Sequence, residues 1–264
     1  MLDWVRHWSH QSPQSGCSFC GGPTTPQLPH ARFLDSGSLW ASLQVGQRRA
    51  LCVGLNYVGQ PNSLPGCFND ATAFARVLRE QFHFRNVELL LDPDRALLEG
   101  AIRKLVTGLS AGDVAFFHYS GHGSFVPDQS GDESDRRDEV LVPKDRRFIT
   151  DDELASWLRH VPAGATLMVI LDACHSGTML DLTTDWPGRV VCLSATQDHQ
   201  QAVDLGHHGA FSQSVLRALQ EHDYRLSWAQ LQQEVDRRLR HFPQVALLSH
   251  SGSLQPHRSF FGFR

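Results

Sequence analysis

The hydrophobic residues downstream of about residue 49 form short continuous runs that alternate with segments of helical spacing. The runs have the length of buried strands and occupy residues 50–55, 87–91, 113–119, 166–171 and 190–193. Helical spacing is found at residues 67–81, 95–105, 151–160, 210–220 and 228–240. Thr150 and Ser227 precede two of these helices as predicted N-caps. Strands that alternate with helices predict a parallel sheet with crossover helices, so we assign the chain to the α/β class.

The remaining segments are polar. Residues 1–48 are rich in Ser, Pro, Gln, Gly and His, which predicts a loosely ordered extension before a folded domain at 49–264. The stretch from 121 to 150 contains DQSGDESDRRDE and is long for a connection in a compact domain, so we expect it to be functional or mobile. One short strand at 139–142 interrupts it, and HRSFFGF near the carboxyl end predicts a last edge strand.

Composition and charge exclude several classes of function. With 24 basic and 28 acidic residues the net charge is −4, so no overall field favours nucleic acid or an anionic membrane surface. No apolar run approaches the roughly 20 residues of a membrane helix, and MLDWVRHWSH lacks the apolar centre of a secretory signal. A soluble, cytoplasmic protein is the expectation. We read the six irregularly spaced cysteines as reduced thiols, with Cys52 and Cys192 as inert core residues in strands.

Two loops that directly follow apolar strands carry residues suited to catalysis. HYSGHG follows VAFF and contains His122, whereas DACHSG follows TLMVIL and contains Cys174. Ligands bind beyond the carboxyl ends of parallel strands, so both loops should open onto one crevice. There an imidazole can favour the thiolate and protonate a leaving amine, while the N–H groups of Gly123 and Cys174 could form an oxyanion hole. Either residue alone is as well explained by a turn His or a buried Cys, but the pair together favours a thiol hydrolase.

Two carboxylates are expected beside the same crevice. Asp172 lies two residues before Cys174, and Asp70 lies on the first helix, one turn before Phe74. A pair of carboxylates in a pocket suits a cationic substrate side chain. The alternative is that Asp70 caps its helix and Asp172 bonds to backbone at the end of its strand.

At this point the motifs resemble a known family. HYSGHG and DACHSG, together with LCVGLNY, LPGCFNDA and GAFSQSVL, are similar to caspase-fold peptidases and most of all to metacaspases, over roughly residues 49–211. The resemblance implies a caspase-haemoglobinase fold, a mostly parallel central sheet flanked by helices on both faces, with a p20-like part at about 49–180 and a p10-like part at about 188–264. It also implies a monomeric endopeptidase that cleaves protein or peptide substrates after Arg or Lys. The family's S1 pocket, which holds the residue before the scissile bond (P1), matches Cys67, Asp70, Ser120 and Asp172.

A second acidic cluster consists of Asp138, Asp151, Asp152 and Asp181. Oxygen ligands of this kind suit Ca²⁺, yet without EF-hand spacing composition alone favours solvated surface charge. The resemblance alters this interpretation, because RDEVLVP, ITDDEL and HSGTMLDL match the segments that supply the aspartates of calcium-activated metacaspases. We therefore hypothesise that Ca²⁺ orders the loop after Cys174 and shapes the substrate cleft. Basic residues in the same polar loops are candidate self-cleavage sites, namely Arg136, Arg137, Lys144, Arg146, Arg147 and Arg189.

Two other functions are open at this stage. One is a caspase-fold scaffold or regulator without catalysis, which has no need of His122, Cys174 and the acidic pocket together. The other is a zinc-binding module at Cys17 and Cys20, although a single CxxC is a weak signal. His175 projects away from its neighbour and is a poorer base than His122. His207 and His208 precede a helix and are expected to be exposed loop or cap residues.

Overall fold

The computed structural model describes residues 46–127, 137–174, 176–177, 179–180, 182, 186–196, 202–251 and 254–257. The residues described after position 45 belong to one compact unit. Several predictions concern positions outside the described residues: Cys17, Cys20, Arg136, His175 and Asp181, and nearly all of the predicted edge strand HRSFFGF. Within the described ranges, no helix is both long enough and apolar enough to cross a membrane.

A central sheet of six strands organises the described part of the chain. Its strands in chain order are β1 (Arg48–Gly54), β2 (Asn86–Leu91), β3 (Val114–Ser120), β7 (Thr166–Asp172), β8 (Arg189–Ser194) and β9 (Leu247–His250). Their spatial order is β2-β1-β3-β7-β8-β9, and every neighbouring pair is parallel except β8 and β9. The predicted α/β class is therefore confirmed, with one antiparallel edge strand that the sequence pattern did not predict.

Helices cover both faces of this sheet. They are α1 (Cys67–Glu80), α2 (Arg95–Val106), α3 (Asp151–Leu158), α4 (Ala210–Glu221) and α5 (Trp228–Leu239). Residues of α2 and α3 pack with Leu51 and Val53 of β1, whereas residues of α1, α4 and α5 pack with Ala50 and Cys52 of the same strand. Since both faces of β1 are buried, its apolar run is continuous rather than alternating.

A small antiparallel sheet lies within the polar stretch between residues 121 and 150. It consists of β4 (Gly123–Pro127), β5 (Arg137–Leu141) and β6 (Ile149–Thr150), in that spatial order. The single strand predicted at 139–142 is its central strand β5. The predicted Thr150 cap is present as a capping box with Glu153, which fixes the start of α3 directly after β6. This sheet connects the end of β3 to the predicted calcium-binding aspartates.

Candidate active site

The two predicted catalytic loops lie side by side because β3 and β7 are neighbouring parallel strands. Ser120 pairs with Asp172 at the end of both strands, and Gly121 N–H donates to the Asp172 carbonyl at 3.2 Å. His122 and Cys174 each follow two residues later. A methyl group on Gly123 would overlap the carbonyl oxygen of Cys174, so only a residue without a side chain allows this approach. The structure thus brings the two loops into direct contact.

The ring of His122 is held in one orientation. Its Nε2 lies 2.7 Å from the Asn62 carbonyl oxygen, and a carbonyl can only accept, so Nε2 carries the proton. Nδ1 is then the basic nitrogen of the neutral ring. The ring stacks on Tyr57 at a centroid distance of 4.5 Å, and the His122 N–H donates to the Tyr57 hydroxyl at 2.8 Å. Tyr119 donates its hydroxyl to the His122 carbonyl at 2.9 Å.

Tyr57 adopts a backbone conformation that an aromatic residue rarely takes. Its φ is 53°, in the left-handed region. The carboxylate of Asp92 accepts the N–H groups of Tyr57 at 2.7 Å and Val58 at 3.0 Å, and Lys144 donates to it at 2.7 Å. Although burial opposes the charge, the bonds from Lys144, Val58 and Tyr57 lower the pKa of Asp92. An ionised Asp92 therefore maintains the strained turn on which the histidine rests.

The thiol of Cys174 is half-buried, and its Sγ accepts the N–H of Ala202 at 3.3 Å. Burial raises the pKa of this thiol, the Ala202 N–H opposes that effect, and the nearby Asp172 adds to it. The resting side chain is consequently a thiol rather than a thiolate. It needs a base, and the loop in contact with that of Cys174 carries the imidazole of His122.

Asp70 is fully buried and takes no part in capping its helix, since Gly66 is the N-cap residue of α1. Its Oδ2 accepts the Ser120 hydroxyl at 3.0 Å and the Gly209 N–H at 3.0 Å. Its Oδ1 lies 2.7 Å from Nδ1 of His208. The helix-cap interpretation of Asp70 is therefore wrong, and His208, predicted to be an exposed loop residue, is in contact with this carboxylate.

Asp172 lies beside Asp70 and shares its environment. Its Oδ2 accepts the Ser212 N–H at 3.0 Å, which matches the predicted backbone bond at a strand end. A side chain on Gly209 would overlap this oxygen and press on the Asp70 carboxylate, so the two carboxylates flank one glycine. Burial raises the pKa of both carboxyl groups, and the charge of Asp70 raises that of Asp172 further. A cation placed here would relieve that repulsion.

The predicted S1 residues come together around these carboxylates. Burial raises the pKa of the Cys67 thiol, and the charges of the nearby Asp172 and Asp70 raise it further. Ser120 forms a hydrogen bond with the same thiol. Asp204, which the sequence did not single out, acts on both carboxyl groups as a third negative charge. The pocket is thus acidic and largely shielded from water, a setting in which charge pairing is strong.

The second acidic cluster lies on β5 and at the start of α3. Val140 of β5 pairs with Thr150, so Asp138 and Glu139 lie just before the paired residue on β5, and Asp151 and Asp152 lie just after it at the start of α3. Burial raises the pKa of Asp151 to about 7, and the charges of Glu139, Asp152 and Asp138 contribute. Among the described residues, no three His, Cys, Asp or Glu side chains are arranged to hold a metal ion. Asp138, Asp152 and the additional Glu139 are nonetheless close enough to Asp151 to act on its charge, while Asp181 lies outside the described residues.

Sequence patterns missed the groups that orient His122. The Asn62 carbonyl is a backbone atom, and no side-chain motif identifies such an acceptor. Tyr57 and Tyr119 could have been singled out, since both stand in motifs already noted, LCVGLNY and HYSGHG. Cys52 and Cys192 are buried in strands, as predicted, and burial raises the pKa of each thiol. The four cysteines in the described ranges form no disulfide.

Comparison with known proteins identifies relatives. The sequence model of the family described as "Metacaspase, peptidase C14 domain" matches residues 48–183, just over half of the chain. Metacaspase-1 of Cryptococcus neoformans is 41% identical over 151 residues, covering 52% of this chain and 33% of the relative. Metacaspase-1B of Aspergillus fumigatus is 41% identical over 191 residues, covering 66% of this chain and 47% of the relative. The chain thus spans a third to about half of the length of these relatives.

A solved structure agrees in fold. The crystal structure of protein GSU0716 from Geobacter sulfurreducens has a TM-score of 0.71 and 28% sequence identity to this chain. The match covers 81% of this chain and 98% of that chain. The family match contains both predicted catalytic loops and the four predicted S1 residues, but it ends before the turn that carries Asp204 and His208.

Proposed function

The chain belongs to the metacaspase family of C14 peptidases, and on that premise we propose that it is a cysteine endopeptidase that cleaves proteins after Arg or Lys. One observation carries the proposal. The loop of His122 rests against the carbonyl of Cys174, directly beside the buried carboxylates of Asp70 and Asp172. A scaffold without catalysis would have no need of a nucleophile, a base and a cation pocket at one edge of the sheet.

In the proposed reaction, Nδ1 of His122 takes the proton from the Cys174 thiol. Sγ then attacks the carbonyl carbon of the P1 residue, and the negative charge develops on the carbonyl oxygen, where N–H groups of Gly123 and Cys174 would stabilise it. The C–N bond breaks as His122 returns the proton to the leaving amine, which leaves a thioester. Water, deprotonated by the same imidazole, hydrolyses the thioester and restores the thiol.

Specificity for a basic P1 residue is supported by the charge of the pocket. Burial and mutual repulsion both make ionisation of Asp70 and Asp172 unfavourable in free energy, and this raises the pKa of each carboxyl group. A guanidinium or ammonium group would pair with the carboxylates and remove that cost. An acidic P1 residue would increase it, so cleavage after Asp is disfavoured.

Calcium is proposed as the activator. Asp138, Asp151, Asp152 and Asp181 would hold the ion. Burial raises the pKa of Asp151, and repulsion by Glu139, Asp152 and Asp138 raises it further, which supports a site where a cation would be stabilised. When bound, Ca²⁺ would supply positive charge and fixed coordination. Gly123, which follows His122, pairs with Leu141 at the end of β5, and the same strand carries Asp138. Ordering of the acidic cluster could therefore influence the histidine loop through β5 and β4.

Autoprocessing is proposed at the basic residues of the polar loops. Arg189 is the poorest of the candidates, since it begins β8, and its N–H bonds to Ala165 within the central sheet. Mass spectrometry of the protein after incubation with Ca²⁺ would identify the cut among the remaining sites. Cys174→Ala should remain intact under the same conditions.

The test of the proposed function is hydrolysis of peptides that differ only at P1. The native protein with Ca²⁺ should cleave Arg and Lys peptides and leave the Asp peptide intact, and Cys174→Ala should cleave none. Removing Ca²⁺ with a chelator should abolish the activity. Cleavage by Cys174→Ala would refute the nucleophile, efficient cleavage after Asp would refute the pocket, and full activity in chelator would refute the calcium requirement. Absence of any hydrolysis would favour the scaffold.

A further inference from the structure

A turn at residues 204–209, which we name the covering turn, lies against the start of α1. Asp204 and Gly209 form an antiparallel bridge that closes it, and Leu205 N–H donates to the His208 carbonyl at 2.9 Å. Besides the contacts of His208 and Gly209 with Asp70, two bonds attach the covering turn to the start of α1. Gly66 N–H donates to the Asp204 carboxylate at 3.3 Å, and Asn69 Nδ2 donates to the His207 carbonyl at 2.8 Å. The turn is thus fixed over the helix end that carries Asp70.

His208 is the residue of the covering turn that reaches the pocket. Its Nδ1 lies 2.7 Å from Oδ1 of Asp70, and because an ionised carboxylate can only accept, Nδ1 is then the donor. Oδ2 of the same carboxylate accepts from Ser120 and Gly209. The Asp70 side chain has no exposed surface, whereas 30% of the His208 side chain is exposed. The imidazole therefore lies between Asp70 and solvent on this side of the pocket.

Burial, more than the surrounding charges, favours a neutral imidazole at His208. It is faced by Asp70 from α1, by Asp204 from its own turn and by Arg217 from α4. Burial and the charge of Arg217 lower the pKa of His208, and Asp204 opposes them. A neutral N–H donor is a weaker partner for a carboxylate than a guanidinium or ammonium group, whose charge strengthens the hydrogen bond. A cationic P1 side chain can therefore replace His208 on Asp70 with a gain in free energy.

We propose that His208 is an internal competitor for the basic S1 pocket: its imidazole occupies the position on Asp70 that the cationic P1 side chain takes, and substrate binding displaces it. This inference rests on the proposed function. Because every basic substrate must break the same contact, His208 raises the KM for Arg and Lys peptides by the same factor. The chemical step, at Cys174, is unaffected. A neutral P1 side chain, which offers no better partner to Asp70, does not displace the imidazole.

The first test is steady-state kinetics of His208→Ala with matched Arg and Lys peptides. Loss of one partly exposed hydrogen bond should lower the KM for both peptides by roughly three- to tenfold, with kcat unchanged. His207→Ala is the matched control, because its side chain is exposed in the same turn and it should behave as the native protein. His208→Gln keeps an N–H donor and should give an intermediate KM. An unchanged or increased KM in His208→Ala would overturn the inference.

A second test observes the imidazole directly and holds even if His208→Ala folds poorly. In the Cys174→Ala protein, agmatine, which carries the guanidinium of an arginine side chain, should shift the NMR signals of the His208 ring and leave those of His207 in place. Saturable agmatine binding without a shift of His208 would contradict displacement. Failure of the proposed function has a different signature, since the native protein would then cleave neither Arg nor Lys peptides.

Discussion

Gly123→Ala tests the contact between the two catalytic loops. A methyl group at this position would overlap the carbonyl oxygen of Cys174 and press on the backbone carbonyl carbon behind it. An ordinary contact requires the loops to separate by roughly 1 Å or more. Because Gly123 also begins β4, which is paired with Leu141, the strain cannot be relieved by the histidine loop alone. The loop that carries Cys174 and the loop that carries His122 should therefore both shift.

The expected magnitudes follow from this displacement. Overpacking by one methyl group costs about 1–3 kcal/mol in well-packed structure, so the Tm should fall by a few degrees in a domain of this size. A misplacement of about 1 Å between nucleophile and base can reduce catalysis about 10²-fold. Activity should therefore fall far more than stability, with kcat carrying most of the loss because the S1 carboxylates are untouched.

The assay compares kcat, KM and Tm of Gly123→Ala with those of Gly100→Ala. Gly100 lies in α2 with nothing near the position of an added methyl group. Alanine there should stabilise the helix by up to about 1 kcal/mol and leave activity unchanged. A Gly123→Ala protein with native kcat and native Tm would show that the two loops are not in contact, and the proposed pairing of His122 with Cys174 would lose its structural basis.

Three further predictions follow from the same geometry. Tyr57→Phe keeps the ring stacked on His122 but removes a hydroxyl that bonds to its N–H, so kcat should fall about tenfold with little change in KM. Asp70→Asn should raise the KM for Arg peptides by at least about tenfold, because a carboxylate that would pair with the guanidinium is lost. The Tm at neutral pH should not fall, because the substitution also removes the repulsion between residue 70 and Asp172. The raised pKa of Asp151, about 7, means that its stabilising contribution is complete below its unfolded value near 4 and lost as the pH rises through 7. In calcium-free buffer, the difference in Tm between Asp151→Asn and the native protein should therefore increase in favour of the variant as the pH rises from about 4 to about 7.5. Parallel plots of Tm against pH for the two proteins would contradict this.

The inner strands of the central sheet could be predicted because they are buried on both faces. The apolar runs at β1 and β7 have no polar interruptions, and the run at β7 ends directly before the loop of Cys174. By contrast, β4 is only partly buried and β9 has four half-buried residues, so neither has an apolar pattern that stands out from a loop. Hydrophobic patterning detects burial, and these two strands depend instead on backbone pairing.

The residues of the candidate site were predictable to the extent that their chemistry lies in side chains next to strand ends. His122, Cys174 and Asp172 meet that condition. Asp70 was expected beside them from its place on the first helix, and the family resemblance added Cys67 and Ser120. The contact between Asp70 and His208 joins residues 138 positions apart and depends on how the covering turn packs on α1. The Asn62 carbonyl has no side-chain signature at all. Both are products of tertiary packing, which local sequence does not encode.

Covalent capture of the nucleophile tests the central claim most directly. A peptidyl acyloxymethyl ketone with Arg at P1, incubated with the native protein in the presence of Ca²⁺, should add the mass of one peptidyl methyl ketone, since the sulfur displaces the carboxylate of the inhibitor. Peptide mapping should locate this adduct on Cys174. The corresponding Asp inhibitor should not react, and His122→Ala should be labelled much more slowly than the native protein. Labelling of a different cysteine, or equal labelling by the Arg and Asp inhibitors, would contradict the account.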